Sequence, residues 1–261
     1  MKNIIITLVF LFSVSIHSQD MSNVHRVFEE ITLNDGLVEE YAGFESFWGT
    51  VKEKQIKDGN LLGWFVWKVD PKSNDNQPWT DYIVLNVFAD KSQMDKMNSK
   101  DAEWWNKYIK SAHKGKTKRS VIKKYLKETT DNKYRKKSVT YTVKGLGVIL
   151  TEQAAPQKGT KAVYRGIEQL NDDYVDFELN YFKPWHEATS SRLYWEVNEI
   201  LSRSDNAYKP VTHTIFEIVN PDVSSNNENL SFTDQMMIKY GVASRKEHGR
   251  LDLELMNWRW N

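Results

Sequence analysis

The sequence contains no cysteine, and this absence excludes several kinds of structure and chemistry. Disulfide bonds, a thiol nucleophile, iron–sulfur clusters and cysteine-bound zinc are all ruled out. An excess of charge of one sign is also lacking, since 36 basic residues stand against 35 acidic ones. The overall charge therefore selects neither acidic nor basic partners. The sequence does have an aromatic share of 13% and a hydrophobic share of 40%. Its 261 residues can therefore bury a sizeable core, as one domain or two small ones.

The common catalytic and cofactor-binding motifs are missing as well. There is no Gly-x-Ser-x-Gly, no phosphate-binding loop, no dinucleotide fingerprint and no His-Glu-x-x-His. The six histidines are dispersed, without the i, i+2 or i, i+4 spacing of a local metal clamp. We therefore predict no metal site and no resident cofactor, with haem as an alternative. Whether the protein is an enzyme stays open at this point.

The first 19 residues predict a secretory signal. Lys2 supplies a positive charge, residues 4–14 are apolar except for Thr7 and Ser13, and the chain turns polar before Asp20. The apolar run is too short to span a bilayer as a helix, although an uncleaved membrane anchor is the alternative. We expect export to a bacterial periplasm or surface, because exported eukaryotic domains usually use disulfides. No later apolar segment approaches membrane-spanning length.

One pattern of residues occurs twice. It consists of Tyr41, Phe44, Glu45 and Trp48 in the first copy and of Tyr174, Phe177, Glu178 and Tyr181 in the second. A strand-like run precedes each copy, at 25–31 and 162–167, and a β-rich run before a proline follows each, at 61–69 and 211–219. The same order at similar spacing predicts an internal duplication.

The strands and helices predicted for the two copies differ. In the first, further predicted elements are a strand over 81–88, helices over 91–112 and 120–128, and a strand over 138–143. The resulting β-α-β-β-α-β order is the ferredoxin-like, or split βαβ, unit. In the second copy we predict a helix over 172–201 kinked at Pro184, a helix over 232–245 and a strand over 251–258. Residues 223–229 read as a polar linker, so this copy is predicted to lack an obvious third strand.

Several of these runs resemble one known group of proteins. They are Tyr41-x-x-Phe44-Glu45-x-x-Trp48, residues 55–64, residues 81–88 and residues 181–187. They resemble exported proteins of Bacteroidetes-type bacteria that have duplicated dimeric α/β-barrel domains, over about 25–221. The wider superfamily includes haem-degrading and quinone-forming monooxygenases, chlorite dismutases and dye-decolourising peroxidases. The resemblance implies architecture, and no catalytic motif of those branches carries over residue by residue.

The predicted fold is α+β, with two ferredoxin-like (split βαβ) units in tandem packed as a pseudo-dimeric α/β barrel. The predicted divisions are a signal peptide over 1–19, a first unit over 20–153 and a second unit over 161–261. Between the units, residues 154–160 have the composition of a linker.

The cleft between helices and sheets is where we predict ligand binding. His186 follows Pro184 on the predicted long helix, and its functional interpretation is a haem ligand or general base oriented by Glu178 or Glu187. The alternative is an ordinary hydrogen-bonded helix histidine. The other candidates are Trp185, His213 on a facing strand, and Trp64 with Asn86. The last two are analogous to the aromatic and polar residues with which small barrel monooxygenases hold substrates, although core packing also explains them. Trp64 and Trp67, three apart on one strand, should face opposite sides of the sheet.

Residues 107–137 carry thirteen basic residues and only two acidic ones. Such a surface could hold a polyanion, and the candidates are Lys114, Lys116, Lys118, Arg119, Lys123 and Lys124. The alternative is a solvated lysine-rich surface. Three functions thus stay open: a non-catalytic exported protein binding a small apolar or aromatic molecule, a haem-handling or cofactor-independent monooxygenase, and an envelope polyanion-interaction module. No nucleic acid partner is expected, and the chain could be a monomer or a homodimer.

Overall fold

The computed structural model describes residues 23–72, 79–223 and 230–260, and the predicted signal peptide therefore lies outside the described residues. The strands are β1 His25–Leu33, β2 Gly63–Val69, β3 Tyr82–Phe88, β4 Arg135–Leu150, β5 Lys161–Gln169, β6 Arg192–Arg203, β7 His213–Val219 and β8 Arg245–Trp260. The α-helices are α1 Val38–Lys57, α2 Lys91–Asn98, α3 Ala102–Ala112, α4 Arg119–Thr130, α5 Tyr174–Phe177, α6 Lys183–Thr189 and α7 Phe232–Ala243. One π-helical turn, Glu178–Phe182, connects α5 to α6.

All strands join one closed antiparallel barrel in the order β1-β3-β2-β8-β5-β7-β6-β4. The first four strands of the chain are neighbours in the order β4-β1-β3-β2, and the last four repeat it as β8-β5-β7-β6. This is the strand order of two ferredoxin-like units, which meet through the pairs β4–β6 and β2–β8. The predicted fold class is confirmed. Among the described strands, closure leaves no unpaired sheet edge.

Equivalent residues of the two units form equivalent pairs in the β1–β3 and β5–β7 ladders. Ile31 pairs with Tyr82 at the end of the β1–β3 ladder, and Ile167 pairs with His213 at the end of the β5–β7 ladder. The repeated tyrosines pack on these equivalent rungs: the ring of Tyr41 lies 4.8 Å from that of Tyr82, and the ring of Tyr174 lies 5.0 Å from that of His213. The repeated sequence pattern therefore corresponds to a repeated packing arrangement.

The second unit has four strands, so the prediction of an incomplete sheet is wrong, as is the predicted helix over 172–201. The helix ends at Thr189, Ser190 takes a left-handed conformation with φ 51°, and β6 follows at Arg192. The strand was missed because its inward side chains include the buried polar residues Glu196 and Asn198, which hide the expected alternation. Pro184 lies in the first turn of α6, directly after the π-helical turn, so the regular hydrogen-bond pattern is already interrupted where the proline lacks its N–H.

The apolar residues form an inner and an outer layer. Inside the barrel, Phe28, Trp67 and Phe216 belong to one buried cluster. Outside the first sheet, Trp64 packs with Phe44 of α1 in a separate buried cluster. Trp64 and Trp67 therefore face opposite sides of β2, as predicted. Among the described residues, no helix is both long enough and apolar enough to cross a membrane.

Candidate functional site at one mouth of the barrel

A cavity of about 790 Å³ opens at one end of the barrel interior. It lies between β1, β4 and β5 on one side and the loop that joins β6 to β7 on the other. Its lining residues are Glu30, Trp79, Lys137, Val139, Tyr141, Tyr164, Gly166, residues 206–211 and His248. We call it the barrel-mouth pocket. Its volume is within the usual range for small-molecule sites.

Unequal residues at equivalent positions of the two units shape this pocket. Glu30 immediately precedes Ile31 in β1, and Gly166 immediately precedes the equivalent Ile167 in β5. The first unit thus places a carboxyl group inside the barrel where the second has no side chain. A Cβ on Gly166 would lie 3.1 Å from Val211, so glycine lets the β6–β7 loop pack closely. The two units therefore contribute different residues to one site.

Irregular pairing between β5 and β8 positions two more lining residues. The register shifts between Arg165 and Ile167, and Gly249 on the facing strand has φ 128°. A Cβ on Gly249 would lie 2.6 Å from the ring of Trp79, so only glycine lets this indole lie against the strand. Next to it, His248 Nε2 lies 2.5 Å from a carboxylate oxygen of Glu168. Such bulges commonly redirect side chains at functional sites.

Glu30 is a buried carboxyl group in the lining of the pocket. Its side chain forms hydrogen bonds with Trp79 and Tyr164, and the residue is only 8% exposed. The indole N–H and the phenol O–H are the donors. Burial raises the pKa of Glu30 to about 7, against the smaller opposing effects of these bonds and of Lys137. Burial also raises the pKa of Tyr141 to about 12. At neutral pH, Glu30 can therefore accept or donate a proton, while the tyrosine stays protonated.

The structure places the predicted candidate His186 elsewhere, between α6 and the outer face of the second sheet. It is 7% exposed, and its Nδ1 lies 2.9 Å from the hydroxyl of Ser191. Burial lowers the pKa of His186 to about 4, so the ring is neutral at physiological pH. The predicted orienting groups are engaged with other residues: Glu178 pairs with Arg245, and Glu187 pairs with Lys183.

The surroundings of His186 do not fit haem as they stand. Its ring centroid lies 5.2 Å from that of Trp185 and 6.1 Å from that of Trp195. Neither the barrel-mouth pocket nor the smaller cleft beside α5 and α7 is lined by His186. A flat macrocycle would need α6 to move away from the sheet, so we derive no haem chemistry at this residue.

The remaining predicted ligand-binding residues are divided between two sheet faces. His213 lies on the outer face of the second sheet against Tyr174, and burial lowers its pKa to about 4. Trp64 and Asn86 pair on the outer face of the first sheet. There, Asn86 Oδ1 accepts a hydrogen bond of 2.8 Å from Lys52. None of the six predicted residues lines the barrel-mouth pocket, and their binding a ligand stays a prediction.

The six predicted polyanion-binding residues lie together at the start of α4 and in the turn before it, and all are exposed. Lys116 lies 3.5 Å from Glu53 and Lys124 lies 4.0 Å from Glu128. Within the described ranges, the other four have no acidic partner within 4.0 Å; they are Lys114, Lys118, Arg119 and Lys123. No group of three or more metal-ligating side chains occurs in the same ranges.

Sequence reasoning missed the residues of the barrel-mouth pocket, although one signal was present. Glu29 and Glu30 are adjacent in a run predicted to be a strand. Because successive side chains of a strand point to opposite faces, one of the two carboxyl groups had to enter the barrel. Trp79 and Tyr208, in contrast, lie on loops whose approach to the barrel mouth follows no sequence periodicity.

Comparisons with known proteins agree with this architecture. No protein-family profile matches the sequence, and no curated protein matches it significantly. Among solved structures, a candidate monooxygenase of Fusobacterium nucleatum is 11% identical, with 92% of this chain and 95% of that chain covered and a TM-score of 0.58. A candidate monooxygenase of Lactobacillus acidophilus is also 11% identical, with 91% and 96% covered and a TM-score of 0.52. The chain shares the dimeric α/β-barrel fold with these proteins, and at this identity the likeness extends to the fold alone.

Proposed function

We propose that this protein binds a small organic molecule in the barrel-mouth pocket and exchanges a proton with it through Glu30. One observation carries the proposal: a buried carboxyl group with a pKa of about 7 lies in a cavity of about 790 Å³. A proton-transfer group is most effective when its pKa lies near the working pH. Perturbed carboxyl groups in concave sites are also typical of functional sites.

The lining of the pocket favours a molecule that is partly apolar and flat. Trp79, Tyr141, Tyr164 and Tyr208 contribute aromatic rings, and Val139 is among the aliphatic contributors. Among the polar groups of the lining, Glu30 is held between two hydrogen-bond donors. This composition is typical of small-molecule sites, in which apolar walls supply affinity and a few polar groups set orientation. It supports the ligand class predicted from sequence, although the residues differ.

The fluorescent probe 1-anilinonaphthalene-8-sulfonate tests the pocket. We expect saturable binding of one probe per chain, weakened at least about tenfold by Val211→Phe, which adds bulk to the lining. The matched control is Val219→Phe, at a residue that is 44% exposed and lies outside the pocket. Thermal melts of both variants report on folding. A Val211→Phe protein that stays folded and binds the probe like the wild type would place the site elsewhere.

Oxygenation of the bound molecule extends this proposal. The two structural neighbours are described as candidate monooxygenases, and a base in the pocket could activate a hydroxylated ligand by removing its proton. Oxygen uptake that requires both the ligand and Glu30 would support an oxygenase. Binding without oxygen uptake would leave proton exchange as the activity.

A second candidate function is binding of a polyanion by the surface around α4. The observation that favours it is the four exposed basic residues without an acidic partner nearby in the described ranges, reported above. Export, which we propose from residues 1–19, would bring this surface into contact with the cell envelope. The basic surface around α4 shares no residue with the barrel-mouth pocket. The two proposed functions are therefore compatible.

For this surface we expect salt-sensitive binding to vesicles that contain phosphatidylglycerol. The triple variant Lys118→Gln, Arg119→Gln, Lys123→Gln should weaken binding by up to about 100-fold, since each charge near an anionic surface contributes about 1 kcal/mol. The control changes three exposed lysines outside this surface to glutamine: Lys158, Lys239 and Lys246. Equal losses in both triple variants would show only a general charge effect and would contradict a specific surface.

A further inference from the structure

Two lysines mark the outer rim of the barrel-mouth pocket. Lys137 of β4 and Lys209 of the β6–β7 loop both line the cavity and are exposed. Neither has an acidic partner within 4.0 Å in the part of the chain that the structure describes. The rim is therefore positively charged and available to a ligand.

The backbone that carries these lysines is held in place. Arg203 donates hydrogen bonds to the carbonyl oxygens of Tyr208 and Lys209, at 3.2 and 2.9 Å. Asn206 donates a hydrogen bond of 3.0 Å to the carbonyl oxygen of Ser138, the residue after Lys137. The loop is thus tied to β4 beside the first lysine. This arrangement fixes the backbone that carries the two lysines at the opening of the pocket.

The interior of the pocket offers a hydrogen-bond acceptor. Glu30 receives hydrogen bonds from Trp79 and Tyr164, whereas an ionised carboxylate has about four acceptor positions. The remaining positions are available to a donor on a ligand in the cavity. A hydroxyl group is such a donor, and the aromatic rings that line the same cavity favour a flat ring as its carrier.

We infer that the ligand is a planar aromatic acid with a hydroxyl group, its anionic end at Lys137 and Lys209 and its hydroxyl at Glu30. This inference rests on the proposed function and specifies the ligand class of the same pocket. Proton exchange is then the breaking of the ligand O–H bond and the formation of a Glu30 O–H bond. The resulting phenolate keeps the negative charge in the pocket.

Isothermal titration calorimetry with three related probes tests this class. The probes are 4-hydroxycinnamate, cinnamate without the hydroxyl, and 4-hydroxycinnamyl alcohol without the carboxylate. We expect 4-hydroxycinnamate to bind tightest, by about tenfold or more over each of the others. The double variant Lys137→Gln, Lys209→Gln should weaken both acids about tenfold and leave the neutral alcohol unchanged. A double variant with Lys158→Gln and Lys246→Gln, at exposed lysines outside the pocket, is the control.

Glu30→Leu removes the acceptor inside the pocket, and the two acids should then bind equally well. The inference is overturned if the alcohol binds as tightly as 4-hydroxycinnamate, or if the rim variant has no effect on the acids. If no probe binds while 1-anilinonaphthalene-8-sulfonate still binds in a Val211-dependent way, the ligand class is wrong and the proposed pocket function stands. If that probe also fails to bind, both proposals are wrong.

Discussion

Replacing Arg26 with alanine is expected to lower the free energy of unfolding by about 3–5 kcal/mol, because it leaves a charge buried without its partner. Arg26 is 1% exposed and Glu196 is fully buried. Nη2 of Arg26 lies 2.7 Å from Oε2 of Glu196 inside the barrel. Asn198 and Tyr194 also donate hydrogen bonds to this carboxylate, but neither supplies a positive charge.

The pair also links the two units. Arg26 comes from β1 of the first unit and Glu196 from β6 of the second, 170 residues later in the chain. The position equivalent to Arg26 in the second unit, five residues before Ile167, is Ala162. The interaction therefore occurs in one copy only. We expect the loss of this ion pair to weaken the packing between the two units as well as the packing inside the barrel.

Urea denaturation followed by circular dichroism measures this loss. The control is Lys161→Ala at the exposed pair with Glu254, where we expect less than about 1 kcal/mol. Replacing both partners, with Arg26→Met and Glu196→Leu, should recover much of the stability because no unpaired charge remains. A loss in Arg26→Ala no larger than in the surface control would contradict a buried pair.

Replacing Glu30 with glutamine is expected to stabilise the protein at pH 8 by about 2–3 kcal/mol and to change little at pH 4.5. Burial raises the pKa of Glu30 from an ordinary 4.5 to about 7, so folding favours the protonated carboxyl. The stability contributed by this group is complete below pH 4.5. It is lost as the pH rises through 7, because the unfolded chain gives up its proton first. Glutamine resembles the protonated form and does not titrate.

Thermal and urea unfolding at half-unit steps from pH 4.5 to 8 measure the effect. Some pH dependence should remain in the variant, because burial also raises the pKa of Glu45 to about 7. Glu39→Gln, on the exposed first turn of α1, is the matched control. If Glu30→Gln and the wild type lose stability in parallel over this range, Glu30 does not have the raised pKa on which the proposed proton exchange depends.

The duplication could be predicted from the sequence because the repeated residues make equivalent packing contacts in the two units. Tyr41 and Tyr174 each lie in the first turn of a helix, and each packs on the last residue pair of a strand ladder. The strands of the first unit could also be predicted, since Trp64 and Trp67 follow the ordinary alternation of side chains between the two faces of a sheet. In β6, buried polar side chains at Glu196 and Asn198 replace apolar ones, and the same rule failed there.

The candidate site was much less predictable. The predicted residues, with His186 first, were chosen for their side-chain chemistry, and the structure divides them between the outer faces of two sheets. The residues of the barrel-mouth pocket come from β1, β4, β5, β8 and two loops, and only closure of the barrel brings them together. In the sequence, Glu30 differs from its neighbour Glu29 only by one position in a predicted strand.

The sequence by itself determined the repeated strand–helix–strand order, the absence of cysteine chemistry and the α+β class, because these depend on residue types and on periodicity along the chain. The tertiary structure decided which charges are buried, since burial depends on the partner strand and not on neighbours in sequence. Glu29 and Glu30 differ by one position, yet Glu29 pairs with Arg135 in a partly exposed setting and Glu30 enters the barrel. That difference sets the pKa of Glu30, and with it the chemistry that the pocket can perform.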